Sequence, residues 1–246
     1  MSMTTDLKIK YSSLWSDMTN HAFVNEMGIG TLDPEKFRRY FLQDYVFVND
    51  LVVMTANAIS KAPDIKSASI FNDFLTGITN PENDLFVSAF QEFGADYDEY
   101  SSVSASPTTR AFGDFLVRTA LEGKFDDIAL VLYVTEGTYL DWGTRLLNEQ
   151  AEPTSATYRE WIRLHGPNVL GSLVGWLQNY VDKESKLSGP RADYLFKMTL
   201  RYEYLFWEAA YNGEAWFDQY NFTQFVSSLK CSDIFLDLCF IGPEFG

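Results

Sequence analysis

The stretch from Asp33 to Pro63 reads DPEKFRRYFLQDYVFVNDLVVMTANAISKAP. Its first two residues are a helix-start signal: an acid able to cap, then a proline at the first helical position, where its missing N–H costs nothing. Phe37, Phe41, Asp44, Val48, Leu51, Thr55 and Ala58 then follow a 3–4 spacing, which is the period of one helix face and not of a strand. Ala62-Pro63 stops the run, because the residue before a proline is pushed out of the helical region. The spacing predicts a single helix of about 28 residues, with ends placed to within a few residues. An amphipathic helix of that length needs other helices to cover its apolar stripe.

The rest of the chain supplies them. Ser12 to Met27 reads as a helix that ends near Gly28 and Gly30, Asp64 to Ile78 as another, and Asn80-Pro81 opens one that runs to Gly94. Asp96 to Ser106 is polar and rich in Ser and Tyr, the composition of a loop. Ser106-Pro107 starts a helix to about Leu121, closed by Gly123, and Phe125 to Glu149 is a second long helix. Pro153–Leu164, Pro167–Glu184 and Pro190–Asn212 follow, Gly213 breaks the last, and Glu214–Leu229 is a further candidate. Ile234 to Phe240 is short and apolar and suits either a strand or a docking tail. Alternating strand patterns of useful length, internal repeats and low-complexity stretches are lacking. The expected class is all-α, a bundle of some eight to ten helices. Residues 1–216 form its domain, and residues 217–246 are a C-terminal helix and extension packed on it or extending it.

Bulk properties narrow the function. A chain of 246 residues with 46% hydrophobic residues can bury one large core. A net charge of −15 repels phosphate backbones and anionic lipid, so neither nucleic acid nor a membrane surface is an expected partner. No uncharged apolar run approaches the roughly 18–20 residues that span a bilayer, and Met1 to Lys10 carries no apolar core of a secretory signal. A cytoplasmic protein is the expectation. Cys231 and Cys239 then read as reduced thiols, with a late disulfide between them as the alternative. Dinucleotide, phosphate-loop and nucleophile-elbow fingerprints are missing. The two histidines, His21 and His165, form no Glu-x-x-His pair, so no metal is expected.

Three acids fall where the helical period asks for apolar residues. Asp44 lies on the stripe above, Glu136 on Ile128, Leu132, Tyr139, Gly143 and Leu146, and Glu208 on Tyr194, Met198, Leu205 and Asn212. An acid facing inward must be hydrogen-bonded or protonated, and desolvation raises its pKa toward the range useful to a general acid or base. Buried acids also cap helices or pair with arginine, and periodicity alone does not show that these three converge. Aromatics crowd the same places: Tyr40, Tyr45 and Phe47 near Asp44, Tyr139 and Trp142 beyond Glu136, and Tyr202, Tyr204, Phe206, Trp207 and Tyr211 around Glu208. They suit a slot for a flat heteroaromatic ligand, though such stripes are more often simply core.

Leu14-Trp15 followed by Asn20-His21-Ala22-Phe23, then Phe41-Leu42-Gln43-Asp44-Tyr45, then Tyr202-Glu203-Tyr204-Leu205-Phe206-Trp207-Glu208 together resemble the TenA family of thiaminase II and aminopyrimidine hydrolases. The resemblance spans roughly Trp15 to Trp216. It implies a heme-oxygenase-like helical bundle, a homo-oligomer (tetramer or dimer), and no metal or cofactor. It also implies that Asp44 holds the polar edge of a pyrimidine, that Phe47 stacks on the ring, and that Glu208 handles the proton at the leaving amine. One branch of the family carries a nucleophilic cysteine four residues before a tyrosine. Counting back from Tyr139, that position is Thr135, followed by Glu136, so this chain resembles the branch without the thiol. Phe112 and His165 stand where many members have tyrosines that hydrogen-bond the substrate.

The resemblance implies hydrolysis of a thiamin-related 4-amino-5-aminomethylpyrimidine or its N-formyl derivative, releasing hydroxymethylpyrimidine for thiamin salvage. Without a thiol, Glu136, helped by the Tyr139 hydroxyl, would position or deprotonate an attacking water, and intact thiamin would be a poor substrate. A non-catalytic protein that holds such a pyrimidine, or a partner protein, is the competing reading.

Overall fold

A computed structural model describes residues 2–217. Met1–Glu214 form one compact unit. Among the described residues there are twelve helices and no strand: α1 (Met3–Lys10), α2 (Ser12–Thr19), α3 (Ala22–Ile29), α4 (Pro34–Lys61), α5 (Ile65–Thr79), α6 (Pro81–Glu92), α7 (Tyr97–Ser102), α8 (Pro107–Glu122), α9 (Phe125–Asn148), α10 (Ala156–Leu164), α11 (Pro167–Lys183) and α12 (Gly189–Asn212). The expected helix beyond Glu214, the apolar Ile234–Phe240 run and both cysteines fall mainly or wholly in residues 218–246, outside the described residues.

The decisive stretch behaves as its residues dictate. The Asp33 carboxylate accepts from the Glu35 amide at 2.9 Å, Pro34 opens α4, and the helix stops before Pro63. Three departures raise the helix number above the expected eight to ten. Ser12–Met27 is two helices, because His21 caps a new one: its Nδ1 accepts from the Phe23 amide at 3.1 Å. The Asp96–Ser106 segment contains a short helix, α7, started by the Asp96 carboxylate on the Glu99 amide. Helix α1 buries only Thr4 and Leu7, too little to leave a period in the sequence. It is held instead by Asp182, which accepts from the Thr4 amide (2.8 Å) and hydroxyl (2.9 Å).

Helix α9 is the axis of the bundle. Every residue from Asp127 to Thr138 is buried, as happens only when a helix is enclosed on all sides. Helices α2, α4, α8, α10, α11 and α12 all pack against it. The approach of α10 is close: a β-carbon on Gly143 would meet the His165 carbonyl oxygen at 2.4 Å, so only glycine lets the end of α10 lie there. Across the bundle, Phe23, Tyr40 and Trp207 pack together with ring centroids 4.6–5.1 Å apart, Phe23 stacked on Trp207. Each such ring is fully or almost fully buried, contributing about 1.5–3 kcal/mol by leaving water. This rigid aromatic wall joins α3, α4 and α12, and the cavity lies beyond it.

Candidate functional site

A cavity of about 490 Å³ opens among α4, α5, α6, α8, α9, α11, α12 and the end of α10. Its aromatic walls are Phe47, Phe112 and Phe206. Phe47 and Phe112 lie 4.6 Å apart by ring centroid, and Phe112 is stacked in turn on Tyr202, 12° from parallel. Carboxyl groups supply much of the polar lining: Asp44 from α4, Glu136 from α9, Glu203 from α12 and Glu82 from the first turn of α6. Only Arg163 among the described lining residues carries a fixed positive charge, and that exposed guanidinium is already paired with Glu160 at 2.8 Å.

The acids therefore face one another without a cation between them. Burial raises the Asp44 pKa to about 7, against a hydrogen bond from the Tyr40 hydroxyl that lowers it. Burial raises Glu136 to about 8, opposed by the Thr135 hydroxyl at 3.3 Å and reinforced by the negative charge of Asp44. Glu203 is 3% exposed, and no protein hydrogen bond reaches its carboxyl among the described residues. Burial first, and then Glu136 and Asp44, push it well above the ordinary range. Glu82 is part-buried as a residue, but its carboxyl is desolvated and raised likewise, with Asp44 and Glu136 adding to the effect. Such a group of acids holds protons near neutrality, which equips it for general acid and base work.

The neighbouring polar groups are constrained. Thr135 is buried, and its hydroxyl is shared between the Leu132 carbonyl (3.1 Å) and the Glu136 carboxyl (3.3 Å). The Tyr139 hydroxyl lies 3.0 Å from that of Tyr40. His165 donates from Nδ1 to the Trp161 carbonyl at 2.8 Å, and burial lowers its pKa to about 4. It is a neutral imidazole whose Nε2 is left as an acceptor. No group of three or more His, Cys, Asp or Glu among the described residues has the geometry to hold a metal ion.

The structure brings together Asp44, Phe47, Phe112, Thr135, Glu136, Tyr139 and His165 around the one cavity. It does not bring Glu208 there. That carboxylate sits on the outer side of α12, its side chain 36% exposed, and accepts from His21 Nε2 (2.9 Å), the Tyr204 hydroxyl (3.0 Å) and Asn212 Nδ2 (2.7 Å). Those donors, His21 foremost, lower its pKa. The acid that α12 offers to the cavity is Glu203. It belongs to the stripe Ala192, Leu195, Phe196, Thr199, Leu200, Glu203, Phe206, Trp207 and Ala210, all buried. Tyr194 and Leu205, on the stripe through Glu208, are 50% and 46% exposed.

A profile of the TENA/THI-4/PQQC family matches residues 9–213. The chain is 28% identical over 220 residues to an aminopyrimidine aminohydrolase of Halalkalibacterium halodurans, covering 88% of this chain and 98% of that one. Its backbone is similar to a TenA homologue from P. horikoshii, with a TM-score of 0.79 at 24% identity over 87% of this chain and all of the other. It is also similar to a domain with a heme oxygenase-like fold from Shewanella denitrificans, with a TM-score of 0.67 at 14% identity over 89% and 98% of the two chains.

Proposed function

The chain belongs to the TENA/THI-4/PQQC family, and on that premise we propose that it is a hydrolase of the C–N bond in a thiamin-related aminopyrimidine. Its relatives named aminopyrimidine aminohydrolase align over most of its length. The observation that carries the reading is the convergence of Asp44, Glu136 and Glu203, from three separate helices, on one aromatic-walled cavity. The substrate is a 4-amino-5-aminomethylpyrimidine or its N-formyl derivative, the product hydroxymethylpyrimidine for thiamin salvage, and the setting a cytoplasmic homo-oligomer. No metal or cofactor takes part in the proposed reaction.

The division of labour follows from the environments. The ring stacks on Phe47, which Phe112 backs, and Asp44 accepts from its amino edge. Water attacks the exocyclic methylene carbon and gives a proton to Glu136, whose pKa of about 8 suits a base near neutrality. The carbon–nitrogen bond breaks, and the departing nitrogen takes the proton that the buried Glu203 carboxyl holds. Ammonia leaves from the free amine, or formamide from the formyl derivative. Glu203 thus takes the role that the resemblance placed on Glu208. Tyr139 and His165 line the same space and orient water or substrate.

Incubating the protein with both pyrimidines and with thiamin, and following hydroxymethylpyrimidine by chromatography, tests this. Release from either aminopyrimidine, and poor cleavage of thiamin, is the expected outcome. Tight binding of the pyrimidines with no product would instead support the non-catalytic reading, toward which Phe112 and His165 lean.

A further inference from the structure

Tyr40 lies outside the cavity lining yet touches two groups that line it. It is wholly buried, packed against Phe23, Phe37, Phe41, Trp161, Phe206 and Trp207. Its hydroxyl meets the Tyr139 hydroxyl at 3.0 Å, and Asp44, four residues on along the same face of α4, is the neighbouring carboxyl whose ionised form that phenol favours. A phenol in this surrounding costs more to bury than a phenylalanine unless its hydrogen bonds are made. We propose that Tyr40 is a positioning residue that couples the protonation of Asp44 to the direction in which Tyr139 presents its hydroxyl to the cavity.

The coupling follows from counting protons. Each phenol has one O–H to give, and both oxygens accept. With Asp44 ionised, Tyr40 donates to the carboxylate, Tyr139 donates to Tyr40, and Tyr139 turns a lone pair toward the ligand. When Asp44 is protonated and its O–H donates a hydrogen bond to the Tyr40 oxygen, the run reverses: Tyr40 donates to Tyr139, and the Tyr139 O–H turns toward the cavity. The packing fixes the Tyr40 ring, so only the hydroxyl hydrogens move. Other ionisable groups facing Asp44 are Glu136 and Tyr139 on α9, Glu203 on α12, Glu82 on α6 and the neutral His165 at the end of α10, with Asp73 and Arg163 farther along the lining. Of these, only Tyr139 is hydrogen-bonded to Tyr40.

The inference rests on the assignment of Asp44 and Tyr139 to the pyrimidine site, but its test needs no turnover. Carbon-13 labelling of the aspartate carboxyls, with Asp44→Asn identifying the signal, gives the Asp44 titration midpoint of the free protein by NMR. Tyr40→Phe removes the donor that favours the carboxylate and is expected to raise that midpoint by about half a pH unit or more. Tyr139→Phe, which leaves Tyr40 in place, is expected to raise it by less, and to add nothing in the Tyr40→Phe background. An unmoved midpoint in Tyr40→Phe overturns the proposal, as does a Tyr139→Phe shift of equal size in both backgrounds. Should Tyr40→Phe fail to fold, an unmoved midpoint in Tyr139→Phe alone is decisive against it. Failure of the hydrolysis assay, by contrast, leaves the titration result standing.

Discussion

Glu203 and Glu208 lie on the same helix, at about 140° from each other when each residue turns the helix by ~100°. One carboxyl enters a cavity with other acids and, among the described residues, no protein donor; the other lies outside beneath a histidine, a tyrosine and an asparagine. Their pKa values move in opposite directions for that reason alone. The same functional group on one element is thus a proton store on one face and a structural acceptor on the other. Chemical type does not assign a role; the face does.

The largest expected effect breaks the pair apart in activity. Glu203→Gln keeps the shape and removes the acid, so the rate of pyrimidine hydrolysis should fall by roughly 10²–10⁴-fold, the usual worth of a positioned acid or base. Glu208→Gln should stay within about threefold of the natural protein, since a carbonyl still accepts from His21. Steady-state rates of the two purified variants side by side decide it. Equal losses in both would mean that the outer cluster shares in the chemistry, and a loss confined to Glu208→Gln that it carries it.

A second effect, smaller in energy, concerns stability and has the opposite sign. Burial holds Asp44 at about 7 and Glu136 at about 8 in the folded state, against ordinary values of 3.8 and 4.5. Between about pH 4 and pH 8 the folded state holds protons that the unfolded chain has released, so stability falls as pH rises through that window. Glu136→Gln removes one such group. It should stabilise the ligand-free protein by roughly 2 kcal/mol at pH 8 and by little at pH 5, while abolishing most activity. Melting curves at both pH values check this. The same gain at pH 5 as at pH 8 would show that packing, not ionisation, is responsible. A site that is more stable without its function is what a desolvated acid implies.

Much of this molecule can be read from its residues because most boundaries are written locally. Asp33-Pro34, Ser106-Pro107 and Ala62-Pro63 mark helix ends through caps and fixed backbone angles, which need no knowledge of the fold. Asp44 and Glu136 are also legible: each interrupts a stripe of large apolar residues at the right interval. The sequence spacing suggests an α12 stripe through Tyr194, Met198, Leu205 and Glu208, whereas the buried one runs through Leu195, Leu200, Glu203, Phe206 and Trp207. Both contain large apolar residues, because Tyr194 and Leu205 lie exposed on the outer face and blur the line between the two sides. The better signal was the density of Leu and Phe on the Glu203 face. Glu82 left no trace at all, since a first-turn acid is expected on any helix. Tyr40 was visible only as an aromatic, and its hydroxyl contacts depend on how α9 packs on α4.

The smallest expected effect sharpens the comparison from the outer side. His21 performs two bonds at once: Nδ1 accepts from the Phe23 amide and starts α3, and Nε2 donates to Glu208 on α12. Only the neutral imidazole with its proton on Nε2 can do both. Glu208 thus fixes the tautomer that the cap requires, and its contribution is to join α3 to α12. Replacing it with alanine leaves three donors unpaired at a part-exposed site where water can reach them. The cost should be about 1 kcal/mol, with Glu208→Gln recovering most of it. Because the lowered pKa of Glu208 belongs to the folded state, its ionic contribution is present above the ordinary carboxylate range and is lost as pH falls through the lowered value. The difference between Glu208→Ala and the natural protein in chemical melts should therefore narrow in acid. For Glu203→Gln the pH trend runs the other way, its advantage growing as the pH rises. If both variants followed the same pH trend, the contrast between the two faces of α12 would have no electrostatic basis.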